Sequence, residues 1–256
     1  MRRLLKIGLA ISVASSLLLA SEQFTMSDAD KAMYEELLEN NPADMMIQSG
    51  SELLDELGGE EALAKYLSVS EDDLPKYLAG FPRYIKKYNS VVSIDQMLQA
   101  FMADNNKEPY KLASSQMFDM SSFVKSLANG EAINIDIDAN EQMRAAYALG
   151  KEVFETRRGQ RGLSCMSCHN PEVVNTILRT QPLPDISAKG NASAATWPAY
   201  RMTKSNLATL QKRFQGCMEN ALLAVLPLGA TEMTALEVYF THEAKGAEVA
   251  IPGLKR

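Results

Sequence analysis

The chain has 256 residues, of which 46% are hydrophobic and 23% are charged, and its net charge is −6. This composition supports one or two buried cores and excludes a disordered chain, while the acidic balance argues against a nucleic-acid-binding protein. With 3 Cys and 2 His, the chain has too few candidate ligands for a disulfide scaffold or for several zinc sites.

The first twenty residues have the layout of a secretory signal peptide. Arg2, Arg3 and Lys6 precede an apolar run over 7–19, and Ala20 follows it. An uncleaved membrane anchor is the alternative, but the run is shorter than the roughly 20 apolar residues that a helix needs to span a bilayer. We therefore expect cleavage after Ala20 and a periplasmic mature protein without a membrane span, in an oxidising compartment.

Hydrophobic residues recur mostly at helical spacing, so the sequence predicts an all-α fold. The expected helices, in chain order, cover 31–39, 51–57, 60–67, 70–79, 93–103 and 143–155. They are followed by one that Ser205 caps, which runs through Ala221 and ends before Pro227, and by one that Thr231 caps and Gly246 closes. Residues 180–198 contain three prolines and predict a loop. Residues 133–137 are the one stretch with some strand character.

The mature chain divides into two halves of opposite charge. Residues 21–140 carry 9 Lys and Arg against 22 Asp and Glu, whereas residues 141–256 carry 14 against 10. The first half therefore has a net charge of −13 and the second a net charge of +4. This asymmetry favours an anion as the ligand of the second half.

The two halves also resemble each other in sequence. Phe81-Pro-Arg-Tyr84 is similar to Trp197-Pro-Ala-Tyr200, and Phe101 follows the first segment at the distance at which Cys217 follows the second. Shared spacing over whole segments indicates an internal duplication. We expect one domain at 21–140 and another at 141–256, and the Cys and His residues all lie in the second.

The pentapeptide Cys165-Met-Ser-Cys168-His169 is the attachment signature of a c-type haem. Two thiols at this spacing reach the two vinyl groups on one edge of the porphyrin, and His169 then faces the iron as its proximal ligand. One alternative is a thioredoxin-like dithiol, but that site requires a βαβ unit, which the sequence lacks. The other is a zinc site, for which two further ligands are missing.

The surrounding segment has the order of a cytochrome c domain, with a helix before the motif and another late in the chain. Gly150 permits a close approach of the two helices, and Phe154 is expected to contact Tyr239 or Phe240 there.

The second axial ligand of the iron has several candidates, namely Met202, Met218, Met233, His242 and Cys217. Methionine is abundant in this chain and is more often core filler than ligand. His242 stands near the end of the last helix and is expected to be a solvated or capping residue.

Cys217 differs from the other candidates, because a spare thiol in an oxidising compartment is usually oxidised unless it is protected or used. Arg213 lies one helical turn before it, and Lys212 adds further positive charge. A guanidinium in this position lowers the pKa of a thiol and binds oxyanions. The residues thus favour a functional thiol over a buried, inert one.

These residues resemble the SoxA family, the subunit of the SoxAX cytochrome that acts as L-cysteine S-thiosulfotransferase. The similarity covers essentially the whole mature chain, and the segment Arg213-Phe-Gln-Gly-Cys217-Met218 is its most specific part. The other matching segments are Asn41-Pro-Ala43, Phe81–Tyr84, Cys165–His169, Trp197–Arg201 and Pro252–Arg256.

The resemblance implies two cytochrome c-like domains and one covalently bound haem c, attached through Cys165 and Cys168 and ligated by His169 and Cys217. In the family that last cysteine is catalytic and carries an extra sulfur as a persulfide, and Arg213 matches the substrate-binding arginine. The implied reaction joins thiosulfate oxidatively to a cysteine of the SoxYZ carrier protein, and electrons leave through c-type haems. The implied partner is a small, monohaem SoxX-like cytochrome c in a heterodimer.

One feature departs from part of the family. Some members carry a haem in the N-terminal domain, but this chain has no Cys before Cys165, and Phe101 stands where the duplication would place one. We therefore expect a monohaem protein whose first domain has no haem. Two other functions stay open, a plain electron-transfer cytochrome with a Met ligand and a tetrathionate-forming thiosulfate dehydrogenase, which usually has a second haem.

Overall fold

A computed structural model describes residues 32, 35–37, 39–173, 177–178, 181–188 and 190–255. The expected signal peptide, 1–20, lies outside these residues, and so does part of the first expected helix, 31–39. Among the residues that are described, no helix is both long enough and apolar enough to cross a membrane.

Helices form most of the fold, with short strands between them. The helices are α1 (Asp44–Asp55), α2 (Gly59–Leu67), α3 (Leu74–Leu78), α4 (Ile94–Asp104), α5 (Ser115–Ser126), α6 (Glu141–Glu155), α7 (Leu210–Ala221) and α8 (Thr231–Glu243). The strands are β1 (Arg83–Ile85), β2 (Ser90–Val92), β3 (Ile177–Leu178), β4 (Gln181–Pro182), β5 (Ala199–Arg201), β6 (Asn206–Ala208) and β7 (Gly253–Lys255). Short 3-10 helices lie at Lys86–Tyr88 and Cys165–Ser167.

The strands form two hairpins and one small sheet. β1 pairs with β2 and β3 with β4, whereas the sheet has the order β6–β5–β7. Within it β5 is antiparallel to β6 and parallel to β7, the last strand of the chain. This sheet therefore joins the end of the chain to the segment that leads into α7.

An all-α fold is only partly right, because these small sheets are present. Strands of two or three residues are too short for an alternating pattern to show in the sequence. Residues 133–137 form no strand, and the adjacent Ala132 makes an isolated bridge to Glu248 instead. The expected loop over 180–198 likewise contains β4 at its start.

Most expected helices are present, with some changes in their bounds. The helix expected over 51–57 begins earlier, at Asp44. Helix α5 is not predicted by the sequence, because the buried Ser121 and Ser122 interrupt its apolar spacing. Ser205 does not cap α7, since residues 206–208 pair as β6 and Thr209 is the N-cap. Helix α8 does begin at Thr231, but its N-cap residue is Ala230.

In the part of the chain that the structure describes, two close helix crossings each occur at a glycine. A Cβ atom at Gly50 on α1 would overlap the backbone oxygen of Asp119 on α5. In the same way, a Cβ atom at Gly150 on α6 would overlap the backbone oxygen of Ala235 on α8. Only glycine allows backbones to approach this closely, so each pair of helices depends on it.

The two halves meet through hydrogen bonds that are reciprocal. Gly130 N donates to Val249 O at 3.0 Å, and Gly246 N donates to Ile133 O at 2.9 Å. Gly246 follows Gly130 by 116 positions, the difference between their numbers, and Val249 follows Ile133 by the same interval. Each bond therefore becomes the other when the halves are exchanged, and the contact is approximately twofold symmetric.

One connected core of buried apolar side chains extends through both halves. It includes Leu98 and Phe101 on α4, Phe154 on α6 and Phe214 on α7. Because burial of apolar surface is the main driving force for folding, the helix that carries Cys217 is held by the same core as the first half.

Candidate active site

A tight turn organises the segment from Cys165 to His169. Ser164 N donates to Ser167 Oγ at 3.0 Å, and the backbone amides of Cys168 and His169 both donate to Cys165 O at 3.1 Å. The turn includes the 3-10 helix Cys165–Ser167. It fixes the spacing of the two thiols and the imidazole without a long helix.

The imidazole of His169 is oriented by a backbone carbonyl. His169 Nδ1 lies 2.9 Å from Pro184 O, and because a carbonyl only accepts, the ring proton is on Nδ1. Nε2 then keeps its lone pair, which is the arrangement of a metal-ligating histidine. Burial lowers the pKa of His169, with Arg213 acting in the same direction and the bond to Pro184 opposing it. The neutral ring that a metal requires is therefore favoured.

The three thiols are partly exposed, and none of them forms a disulfide. Burial raises the pKa of Cys165 to about 11, with Arg158 opposing this change and the nearby Cys217 and Cys168 adding to it. Within the described part of the chain, no group of three or more His, Cys, Asp and Glu side chains is arranged to hold a metal ion. Two partly exposed thiols beside an oriented imidazole suit a covalent haem.

Helix α7 brings Cys217 and Arg213 to this turn. Its apolar face, with Leu210, Phe214 and Met218, is buried. Arg213 and Cys217 lie one turn apart and are both partly exposed. The charge of Arg213 acts on His169, and Cys217 acts on Cys165. All five of the site residues predicted from the sequence therefore converge in one region.

Aromatic contacts join α7 to the helix pair α6–α8. The ring centroids of Phe214 and Phe240 are 4.8 Å apart, and those of Phe154 and Tyr239 are 5.1 Å apart. Phe154 also lies 6.4 Å from Phe240. The expected contact of Phe154 with the last helix is thus confirmed, and Phe240 also holds α7 through Phe214.

The other candidates for an axial ligand have different surroundings. Met218 and Met233 are buried in the hydrophobic core, as core filler should be. His242 is half-buried, and its ring packs edge-on against Tyr147 with centroids 4.8 Å apart. The expected position of His242 at the end of the last helix is confirmed, but the ring is not fully solvated, because Tyr147 on α6 covers one side of it.

Two further cations belong to this region, although the sequence assigns them no role. Arg201 on β5 stands directly opposite Lys255 on β7 in the parallel register. Lys255 is buried, and burial together with the charges of Arg201 and Arg213 lowers its pKa to about 7. Burial and Arg213 lower the pKa of Arg201, while the Cys217 thiolate opposes this change. Arg201 and Lys255 lie in Trp197–Arg201 and Pro252–Arg256, two of the segments that resemble the SoxA family. This resemblance is the one feature of the sequence that could have indicated a role for them.

Comparison with known proteins identifies relatives of this chain by sequence, although no family model matches it. Over 239 residues the chain is 28% identical to the L-cysteine S-thiosulfotransferase subunit SoxA of Hydrogenophilus thermoluteolus, covering 86% of this chain and 85% of the relative. Over 222 residues it is 26% identical to a protein of the same name from Hydrogenobacter thermophilus, covering 83% of each.

A solved structure shares the fold. The crystal structure of SoxXA from P. pantotrophus matches with a TM-score of 0.72 and 24% identity, covering 84% of this chain and 79% of the solved chain. The resemblance to SoxA, first indicated by the motifs around Cys165 and Cys217, is confirmed over most of the length of the chain.

Proposed function

We propose that this protein is the catalytic subunit of a SoxAX-type L-cysteine S-thiosulfotransferase. It would attach thiosulfate oxidatively to a cysteine of the SoxYZ carrier protein, as a step of sulfur oxidation. The observation that carries this proposal is that Cys217 and Arg213 lie close to the turn that contains Cys165 and His169. In that turn, the ring of His169 is oriented by Pro184 O, which lies 2.9 Å from Nδ1. The names of the SoxA relatives support the same activity.

The residues of the turn fit one covalent haem c. Cys165 and Cys168 would hold the haem through two thioether bonds, and His169 and Cys217 would be the protein ligands of its iron. When bound, the haem accepts electrons from the sulfur chemistry and passes them on. The chain's own contribution is to orient His169 through Pro184 O and to present Cys217 from α7.

Thiosulfate would bind against the cations Arg213, Arg201 and Lys255. Its sulfonate oxygens suit guanidinium and ammonium donors, and the partly desolvated setting strengthens these contacts. Among the described residues, no carboxylate forms an ion pair with Arg201 or Arg213. An anionic substrate would therefore compensate the charge of these two guanidinium groups.

The reaction balances as two transfers. The outer sulfur of thiosulfate would bond to the sulfur of Cys217 and give a Cys217–S–S–SO3⁻ group. This bond formation is a two-electron oxidation, for which a haem held by Cys165, Cys168 and His169 would supply the electron acceptor. The thiolate of the carrier cysteine then attacks the outer sulfur of this adduct. The S–S bond to Cys217 breaks, Cys217 leaves as a thiolate and the carrier keeps the S–SO3⁻ group.

The first half would be a cytochrome c-like domain without haem, covering 21–140, beside the haem domain at 141–256. The repeated glycine crossings and the reciprocal bonds between the halves support this division. Phe101 stands at the position that corresponds to Cys217, and its ring packs against Tyr66 with centroids 4.8 Å apart. An aromatic core would thus replace a haem ligand there.

The partner would be a small, SoxX-like monohaem cytochrome c, and the location would be the periplasm after removal of residues 1–20. Intact-mass measurement of the exported protein tests the site, and turnover with thiosulfate and SoxYZ tests the activity. We expect one haem on Cys165 and Cys168 and carrier-dependent product. Tetrathionate formed without a carrier, or a Met-ligated haem without turnover, would overturn the proposal.

A further inference from the structure

The start of α7 is fixed by a hydroxyl group that makes two hydrogen bonds. Thr209 is the N-cap, and its Oγ1 accepts a bond from Lys212 N at 3.4 Å. The same side chain lines a small cavity together with Asp95 of the other half. Burial raises the pKa of the Asp95 carboxyl to about 6, and hydrogen bonding with Ser121 and with the Thr209 hydroxyl opposes this change. Because a carboxylate only accepts, the Thr209 hydroxyl is the donor in this contact, while its lone pair faces the helix. The cap of α7 thereby takes one defined orientation.

Asp95 belongs to the other half of the molecule. It lies in the first turn of α4 and is only 7% exposed. Besides Thr209, its carboxylate accepts a short hydrogen bond from Ser121 on α5. The Asp95 carboxylate thus lies between Ser121 of the first half and Thr209, the N-cap residue of α7.

A second set of contacts holds the same turn of α7. Gln211 Nε2 donates to Glu237 on α8 at 2.8 Å, and Gln211 Oε1 accepts from Gly229 N at 2.9 Å. Gln96, the neighbour of Asp95, donates to Gly229 O at 2.9 Å. The first turn of α4 therefore reaches α7 both directly and through the loop before α8.

We infer that Asp95 is a positioning residue for the active site, and that it acts through the Thr209 hydroxyl on the helix that carries Arg213 and Cys217. This inference rests on the proposed function for the role of Cys217. Helix α7 has 12 residues, and Cys217 lies two turns from its cap. Displacing a reacting group by about 1 Å can cost roughly a hundredfold in rate. The half without haem would then determine the alignment of the thiol.

The test uses the haem-loaded chain in complex with its partner cytochrome. Asp95→Ala removes the acceptor, Thr209→Val removes the hydroxyl at nearly constant shape, and Thr209→Ser restores it. Ser122→Ala is the matched control, because Ser122 is buried beside Ser121 but its hydroxyl has no hydrogen-bond partner. The readouts are the absorption and paramagnetic resonance signature of thiolate ligation, and kcat measured at saturating thiosulfate.

We expect Asp95→Ala and Thr209→Val to reduce the thiolate-ligated fraction of the haem and to lower kcat by roughly ten- to hundredfold. Thr209→Ser should recover both, and Ser122→Ala should change neither. Normal ligation and kcat in Thr209→Val, with a lower unfolding temperature alone, would show that the contact is merely structural. A wild-type haem without thiolate ligation would instead refute the proposed function, so the two failures are distinct.

Discussion

Arg201 and Lys255 stand opposite each other on the parallel strands β5 and β7, although 54 positions of sequence, the difference between their numbers, separate them. Their charges act on each other and on Arg213, which lies one turn from Cys217. Like charges at this proximity cost free energy, and an anion bound beside them would offset part of that cost. Under the proposed function, the two cations would belong to the site that binds thiosulfate.

Removing either charge should weaken the capture of thiosulfate. Arg201→Gln and Lys255→Gln are each expected to raise KM by about tenfold, since a charge-assisted hydrogen bond contributes about 1.5 to 3 kcal/mol. Lys204→Gln is the control, because Lys204 is an exposed residue in the turn between β5 and β6. Steady-state kinetics at fixed ionic strength measures the effect. Equal changes in all three variants would indicate long-range attraction rather than a pocket.

Cys217→Ser should separate catalysis from attachment of the haem. The thioether bonds use Cys165 and Cys168, so the intact mass of the variant should still include one haem. Turnover should fall to background, because a hydroxyl cannot replace the thiolate that bonds to sulfur. Ordinary turnover by this variant would remove Cys217 from the mechanism.

Arg213→Ala tests the residue that the sequence assigns to the substrate. We expect kcat/KM for thiosulfate to fall by about tenfold to a hundredfold, because the guanidinium is the cation one turn from the thiol. Lys212→Ala, at the adjacent position of α7, is the matched control. An unchanged dependence of rate on thiosulfate concentration in Arg213→Ala would exclude its binding role.

What the sequence predicts depends on how local the signal is. The haem motif and the Arg213–Cys217 pair are contiguous or one helical turn apart, so their spacing alone indicates chemistry. The roles of Arg201 and Lys255 follow from a strand pairing between distant segments, which no local pattern contains. The cap at Thr209 is missed for a different reason: β6 has only three residues, too few for an alternating pattern to show, and its pairing with β5 shortens the helix.

The glycine crossings provide a test of packing. Gly150→Ala and Gly50→Ala would each force a methyl group into a backbone oxygen of the partner helix. We expect each to lower the free energy of unfolding by about 1 to 3 kcal/mol, as overpacking does. Ala148→Ser, at an exposed position of α6, should change it by less than about 0.5 kcal/mol. Urea unfolding of the haem-loaded protein measures these differences, and a neutral Gly150→Ala would show that the helices can separate.

Acidic groups between the halves should make stability depend on pH. Asp95, Lys125 and Glu237 line a cavity of about 30 Å³ that is shared by both halves. Desolvation, with the charge of Asp95 adding to it, raises the pKa of Glu237 from 4.5 to about 7. Between pH 4.5 and about pH 7, Glu237 is protonated to a greater extent in the folded protein than in the unfolded chain. Its contribution to the free energy of unfolding therefore falls as the pH rises through this range.

Glu237→Gln removes this titration and keeps the shape of the side chain. The free energy of unfolding of the variant, minus that of the wild type, should therefore increase from pH 4.5 to pH 7 and then level off, by on the order of 1 to 3 kcal/mol. Unfolding at a series of pH values measures it, and taking the difference removes the contributions of haem ligands common to both proteins. Curves that run parallel through this range would mean that Glu237 ionises at the same pH in the folded and unfolded states.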